Sequence, residues 1–103
     1  MVKPSERLLK SLTVDNLWQY VIKALKRPRY AYDLAKGLNR LNANIVTVYA
    51  VLYKLETGGY IKKAFSEKGG GPVRKYYVAT KKGLKELSIG KKILKDHIRH
   101  LAE

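Results

Sequence analysis

The stretch TVYAVLYKLETGG, residues 47–59, decides the fold because its apolar side chains repeat with the period of a helix. These side chains stand at positions i, i+3, i+4 and i+7 and therefore share one face: Val48, Val51, Leu52 and Leu55. The opposite face is aromatic and cationic, and it carries Tyr49, Ala50, Tyr53 and Lys54. Thr47 is predicted to cap the start of this helix, and the Gly58-Gly59 pair supplies the left-handed turn that ends it.

Two more helices are predicted upstream of this stretch. Pro28 cannot continue a helix, so a first long helix is expected to end near Leu25. A second helix is expected to run from about Tyr30 to Leu38, and a turn over residues 39–44 follows it. The second helix, the turn and the helix of residues 47–59 together predict a helix-turn-helix unit.

The first long helix is expected to open at Thr13 or Asp15, and it has a broad apolar face. Trp18 lies on this face and is interpreted as a core residue, with stacking on a ligand as the alternative. Before it, Ser5 is expected to cap a short helix that carries three leucines: Leu8, Leu9 and Leu12.

Downstream of Gly59 the sequence changes from helical to strand character. Residues 60–65 and 73–79 are short and rich in aromatic and β-branched side chains, and a glycine-rich loop joins them. They predict a β-hairpin, which after a helix-turn-helix unit is a wing. The predicted fold class is therefore mostly α with a small β-hairpin (α+β), a winged helix-turn-helix.

The last helix is expected to begin at a Thr80 cap and to run to about Ala102. Spacings of three and four residues give it a heptad seam of Leu84, Leu87, Lys91, Leu94, Ile98 and Leu101. This seam, with the N-terminal leucines, predicts a homodimer; packing on residues 1–25 of the same chain is the alternative. The predicted division is a DNA-binding domain over residues 1–83 and a dimerisation helix over residues 84–103.

The charge of the chain points to a polyanionic partner. The formal net charge is +14, from 22 Lys and Arg against 8 Asp and Glu, and such a charge attracts polyanions. Residues 60–85 carry eight of the basic residues and one acid, as expected for a wing that lies along phosphates. A membrane surface is a weaker alternative, because no span or signal peptide is evident, and a cytoplasmic location is expected. A Lys-rich surface adapted to heat is the other alternative.

Several chemistries are excluded by composition. Cysteine is absent, and the two histidines, His97 and His100, form a poor metal site on their own. The acids are few and scattered, so no general acid–base pair is supported. No Gly-Lys-Ser/Thr follows the three glycines, so they do not form a phosphate-binding loop. The chain is therefore predicted not to be an enzyme and to need neither a metal nor a cofactor.

We hypothesise that the chain binds duplex DNA with the helix of residues 47–59 in the major groove. The residues predicted to face the groove or to lie at the start of that helix are Asn44, Thr47, Tyr49, Ala50, Tyr53 and Lys54. The residues predicted to hold phosphates are Arg29, Tyr30, Lys62, Lys68, Arg74 and Lys75. The face of the helix has no Arg, Asn or Gln, so modest direct base readout is expected. The alternative for the two tyrosines is that one or both pack under the wing.

Three motifs resemble the PadR family of winged-helix transcriptional regulators. They are Tyr30-Ala31-Tyr32-Asp33-Leu34, the run from Thr47 to Ile61, and Gly71-Pro72-x-Arg74-Lys75-Tyr76-Tyr77-x-x-Thr80-x-x-Gly83. The resemblance implies a homodimer joined through the C-terminal helix. Its recognition helices would lie in successive major grooves, and its wings would contact the DNA backbone. It also implies transcriptional repression and, as in some relatives, a small hydrophobic effector at the dimer interface.

Three other functions remain open on sequence grounds. An abundant, weakly specific chromatin-like protein also explains the charge, and it predicts that all DNA is coated alike. An RNA-binding module predicts a preference for structured RNA over duplex DNA. A ligand-sensing dimer predicts that a small hydrophobic molecule quenches the fluorescence of Trp18.

Overall fold

The structure is a computed structural model that describes residues 2–41, 43–71 and 73–103. Its helices are α1 (Pro4–Leu12), α2 (Leu17–Ala24), α3 (Ala31–Gly37), α4 (Ile45–Thr57) and α5 (Lys81–Ala102). Its strands are β1 (Arg29–Tyr30), β2 (Ile61–Glu67) and β3 (Arg74–Ala79), and 3₁₀-helical turns cover Val14–Asn16 and Asn39–Leu41. The winged helix-turn-helix predicted from the sequence is confirmed, with α3 and α4 as its two helices and β2 and β3 as its wing.

The core lies where α2, α3 and α4 meet and the first half of α5 covers them. Its members are apolar and nearly inaccessible: Leu17, Val21, Ile22, Leu25, Ala31, Leu34, Leu38, Ala43, Val48, Leu52, Leu55, Ile61 and Leu87. Three of the four residues predicted to form the inner face of α4 belong to this set, and Val51 is half-buried beside them. The apolar face of α4 is thus fixed by packing, while its other face is free to meet a partner.

The sheet has three strands where the sequence predicted a two-stranded hairpin. The strand order is β1-β3-β2, and β1 pairs with β3 through Arg29 opposite Tyr77 and Tyr30 opposite Tyr76. Tyr30, predicted to begin the second helix, is extended in the structure, and α3 begins one residue later. A strand of two residues has no detectable alternation, and its partner is more than forty positions away, so local patterns did not indicate it.

The helix starts differ from the predicted ones at three places. The side chain of Asn44, and not that of Thr47, caps α4: its Oδ1 accepts a hydrogen bond from the Thr47 backbone N–H at 2.9 Å. Lys3 precedes α1 and Pro4 takes its first position, so Ser5 lies inside the helix. The predicted first long helix is broken, because a 3₁₀-helical turn covers residues 14–16 and α2 begins only at Leu17.

The end of α4 and the start of α5 are tied together at one joint. Thr80 caps α5 as predicted, with its Oγ1 accepting from the Gly83 N–H at 3.1 Å, and it also donates to the Gly59 carbonyl at 2.7 Å. Lys82 donates to the Gly58 carbonyl at 2.7 Å, and its ammonium lies 4.6 Å from the centre of the Tyr60 ring. Gly59 has the positive φ of 79° predicted for the turn after α4.

The two halves of α5 have different surroundings. Leu87 is buried in the core of its own chain, which corrects its assignment to a dimer seam; the remaining members of that set are exposed or half-buried. At Gly90, α5 passes so close to α2 that a β-carbon would collide with Gln19 and lie 3.0 Å from the Trp18 ring. The α5 helix is continuous across residues 83 and 84, so the domain boundary predicted there stays a prediction.

Candidate nucleic-acid interface

The outward face of α4 is a stripe of exposed side chains. Val46, Tyr49 and Tyr53 are 73%, 57% and 72% exposed, and Ala50 is exposed between them. These four positions again follow the spacing i, i+3, i+4 and i+7, half a turn away from the buried face. Both rings are exposed, so neither is buried under the wing, although Tyr49 faces the wing across a groove. Thr47 is half-buried at the edge of this stripe.

A groove of about 490 Å³ lies between α4, the start of α3 and the wing. It is lined by Tyr30, Ala31, Tyr32, Tyr49, Val73, Arg74 and Lys75. Four of the residues predicted to contact DNA meet here, although they come from three distant parts of the sequence. The groove combines three phenol hydroxyls with a guanidinium and an ammonium group, so every charge on its walls is positive. A surface of this kind is suited to a phosphate backbone.

A chain of aromatic contacts positions Arg74 at this groove. Phe65 and Tyr76 stack with ring centres 4.4 Å apart and planes 18° apart. Tyr76 then meets the edge of Tyr30 at 5.2 Å, and the Arg74 guanidinium lies 5.0 Å from the centre of the Tyr30 ring. Aromatic pairs and cation–π contacts of this kind each contribute about 0.5–1.5 kcal/mol and have a defined geometry. The β-bulge between Lys63 and Phe65 is the irregularity in the wing that accompanies this stack.

The wing tyrosines keep their protons at neutral pH. Loss of solvent and a hydrogen bond to Glu67 raise the pKa of Tyr76, whose hydroxyl donates to the Glu67 carboxylate at 3.1 Å. Loss of solvent, with a smaller effect of the nearby Glu56 carboxylate, raises the pKa of Tyr77. Both phenols are therefore neutral hydrogen-bond donors under ordinary conditions, and neither repels a phosphate.

Arg29 is already engaged within its own domain. Its Nη1 lies 3.1 Å from the Asp33 carboxylate in an i, i+4 ion pair, and its Nε donates to the Ala24 carbonyl at 3.0 Å. These bonds tie the end of α2 to α3 and leave only part of the guanidinium for a ligand. The role of Arg29 as a phosphate contact stays a prediction, and the structure gives it a structural role that the sequence did not indicate.

The other residues predicted to contact DNA lie outside the groove lining. Lys54, Lys62 and Lys68 are exposed, on α4, on β2 and on the loop between β2 and β3. Asn44 is exposed, but its side-chain oxygen is committed to the cap of α4. Their contacts with DNA stay predictions.

Sequence reasoning missed three exposed apolar or aromatic residues at this surface. Tyr32 and Val73 line the groove, and Val46 extends the outer stripe of α4. Val46 was detectable, because it stands one turn before Tyr49 and Ala50 and faces away from Val48. Tyr32 had no such signal, since its position beside α4 depends on the angle between two helices.

Within the described ranges, no group of three or more histidines and carboxylates is placed to hold a metal ion. In those same ranges, no helix has both the length and the apolar content to cross a membrane.

Comparison with known proteins identifies the architecture. The profile of the Transcriptional regulator PadR-like family matches residues 21–89, which include α3, α4, the wing and the first part of α5. No curated protein matches the chain at a significant level.

Solved structures share this fold over 70% to 96% of the chain. A PadR family transcriptional regulator from Eggerthella lenta is similar with a TM-score of 0.76 and 28% identity, over 96% of this chain and 92% of that one. A PadR-like transcription factor from Bacteroides fragilis has a TM-score of 0.66 and 28% identity, over 94% and 96%. Bacillus subtilis PadR, solved in complex with operator DNA, shares the fold at a TM-score of 0.62 and 24% identity, over 70% of this chain and 44% of that one.

Proposed function

Because this chain belongs to the PadR-like family of transcriptional regulators, we propose that it represses transcription by binding operator DNA as a homodimer. Members of the family are regulators and not enzymes. The observation that carries the proposal is the placement of the exposed face of α4 beside a groove whose walls bear only positive charge. The Bacillus subtilis relative solved with operator DNA supports duplex DNA as the partner.

In this proposal the two parts of the interface have different tasks. The outer stripe of α4, with Val46, Tyr49, Ala50 and Tyr53, enters the major groove, and Thr47 and Lys54 lie at its edges. The wing binds the DNA backbone through Lys62, Lys68, Arg74 and Lys75, and the Arg74 guanidinium packs on the Tyr30 ring. Phosphate contacts fix the register of the protein on the duplex, whereas contacts with base edges select the sequence.

Direct base readout is expected to be modest. The outer stripe of α4 offers methyl groups and phenols, and it lacks the arginine and amide side chains that read guanine and adenine with paired hydrogen bonds. The one amide at its start, Asn44, uses its oxygen for the helix cap. Val46 and Ala50 are suited to contact thymine methyl groups. The spacing of half-sites and the shape of the DNA are expected to supply the remaining specificity.

The homodimer is supported by exposed apolar side chains on two helices. No residue of α1 is buried, and Leu8, Leu9 and Leu12 face solvent. Ile98 and Leu101 near the end of α5 are 68% and 86% exposed. An apolar surface of this extent is typical of an interface. The proposed seam consists of Leu84, Leu94, Ile98 and Leu101 on α5, with the α1 leucines beside it.

Control by a small hydrophobic effector is a further part of the proposal. An apolar groove of about 320 Å³ lies between the end of α1, α2 and α5, lined by Leu12, Asn16, Gln19, Tyr20, Lys23, Leu87, Lys91, Leu94 and Ile98. Trp18 is half-buried next to Gly90, at the contact of the same helices. Titration with phenolic compounds, followed by the fluorescence of Trp18, tests this part.

The proposal is tested by selection from a pool of random duplex DNA at near-physiological salt, followed by sequencing. An enriched palindrome whose half-sites are about one helical turn apart supports a dimeric regulator and gives its operator. Enrichment of a single half-site supports DNA recognition by a monomer and contradicts the dimer. Failure to bind any duplex overturns the proposal.

A weakly specific, chromatin-like role is the second candidate, and the net charge of +14 favours it. It predicts tight binding without enrichment of any sequence. Footprinting separates the two candidates, because a regulator protects one site at concentrations at which a chromatin-like protein coats the whole fragment.

A further inference from the structure

A second positively charged concavity lies away from the wing and from α4. Its volume is about 380 Å³, and it is lined by Tyr20, Lys23, Ala24, Lys26, Arg27, Arg29, Leu38 and Arg40. The end of α2, the turn that contains Pro28, strand β1, the end of α3 and the 3₁₀-helical turn after it supply these residues. Five of the eight carry a positive charge and none carries a negative one.

The positive charge of this concavity is not neutralised by the protein. Between Tyr20 and Arg40 the sequence has six basic residues and one acid, Asp33. That acid pairs with Arg29, in the sole salt bridge found over the described residues. Lys23, Lys26, Arg27 and Arg40 surround the same hollow. Four unpaired like charges around one concavity repel each other and attract a polyanion.

The concavity opens on the side of α3 that faces away from α4. On one flank of α3, Tyr32 and Lys36 line a hollow together with Asn44 and Ile45 at the start of α4. On the other flank, Asp33 and Gly37 line a small hollow together with Ala24. The basic concavity shares three lining residues with that second hollow and none with the groove beside the wing. The basic concavity and the groove beside the wing are therefore separate surfaces.

We propose that this concavity binds the phosphate backbone of a second DNA duplex, so that one protein molecule holds two DNA segments together. The inference rests on the proposed function, because it takes duplex DNA as the polyanion that the chain meets. Duplex DNA fits the observations because it carries one negative charge per about 1.7 Å of its axis and so matches several cations at once. Arg29, held by Asp33 and Ala24, is a fixed point within this ring of lysine and arginine side chains. The second contact also gives a role to basic residues that do not line the groove beside the wing.

The test is a bridging assay with two short duplexes of random sequence, one immobilised and one fluorescent. The protein is loaded on the first duplex, and the amount of the second duplex that it captures is measured against salt. The variant is Lys26→Ala/Arg27→Ala/Arg40→Ala, which removes three exposed charges and leaves Arg29 in its structural bonds. The matched control, Lys92→Ala/Lys95→Ala/Arg99→Ala, removes three charges from α5. Binding of each protein to one dilute duplex is measured in parallel by fluorescence anisotropy.

We expect the unmodified protein and the α5 control to bridge, and the concavity variant to capture about tenfold less of the second duplex or lower still. The salt slope of capture should become shallower by about 2 to 3, while affinity for the single duplex changes less than about threefold. Single-duplex binding without bridging overturns the inference and leaves the proposed function intact. Equal bridging by the concavity variant also overturns it, as does equal loss in the α5 control, or capture of structured RNA in place of the second duplex. Absence of single-duplex binding in the unmodified protein overturns the proposed function instead.

Discussion

Asn44 determines where α4 begins, since its side chain accepts a hydrogen bond from the Thr47 N–H. Replacing it with alanine exchanges this hydrogen bond for one to water, and caps of this kind contribute about 0.5–2 kcal/mol. We expect Asn44→Ala to lower the free energy of unfolding in urea by this amount. Asn44→Ser, which restores an acceptor, should recover most of the loss. Equal stability of the alanine variant and the natural protein would show that the cap contributes nothing.

Three charged residues of the wing supply a second prediction at this scale. Lys68, Arg74 and Lys75 are exposed and are proposed to bind phosphates, which carry no sequence information. Changing all three to alanine should weaken binding to every duplex alike and flatten the salt slope by about 0.9 for each phosphate that the protein no longer neutralises. The α5 triple variant described above is the control, because it removes the same charge elsewhere. A loss confined to one operator would contradict the assignment to phosphates.

At the scale of single residues, the sequence predicts features that depend on a few neighbouring residues and not those that depend on tertiary packing. The Thr80 cap and the left-handed turn at Gly59 were predictable, because each is specified within a few residues. The N-cap of α4 was misplaced because Asn44 and Thr47 are both good capping residues, and only the geometry of the preceding turn selects one of them. Tyr32 was missed because its place beside the wing depends on the packing of α3 against α4.

At the scale of elements, the joint between α4 and α5 gives a prediction with a built-in control. A β-carbon at Gly83 would collide with the Tyr60 carbonyl, whereas a β-carbon at Gly37 meets nothing within 4 Å. Gly83→Ala should force α5 away from β2 and lower the free energy of unfolding by about 1–3 kcal/mol. Gly37→Ala should leave stability unchanged or raise it by up to about 1 kcal/mol, since alanine favours a helix. Thermal unfolding of the two variants checks both expectations, and similar melting temperatures would show that the joint is not tight.

Long elements were predictable and short ones were not. The inner face of α4 and the seam of α5 follow from periodicity, and the wing follows from two short runs of aromatic and β-branched residues joined by a glycine-rich loop. Strand β1 has only two residues and exists through its pairing with β3, so no local pattern predicts it. The groove beside the wing has the same origin: β1 brings Tyr30 against Tyr76, and Arg74 then rests on the Tyr30 ring.

At the scale of the whole molecule, the buried position of Leu87 divides α5 into a part that folds the domain and a part available to a partner. Ile98→Lys/Leu101→Lys changes two exposed positions, so the single chain should keep its stability. The proposed dimer should be lost, because two like charges would enter the seam of each partner. Sedimentation velocity measures the oligomeric state, and circular dichroism confirms the fold.

Leu87→Ala is the contrasting variant. It removes a core side chain and should lower the free energy of unfolding by about 2–5 kcal/mol. If the Ile98→Lys/Leu101→Lys variant is still a dimer, the dimer interface lies on another surface.

The contact at Gly90 also makes the end of α5 a lever, because Leu87 and Gly90 hold the preceding turns against the core and α2. Residues 91–102 extend beyond that contact, and at about 1.5 Å each they give an arm of about 18 Å. A tilt of about 10° where α5 leaves α2 moves its far end by about 3 Å, close to the rise of one base pair. In a dimer joined through that far end, the stiffness of one glycine contact sets how far apart the two halves of a target site can lie.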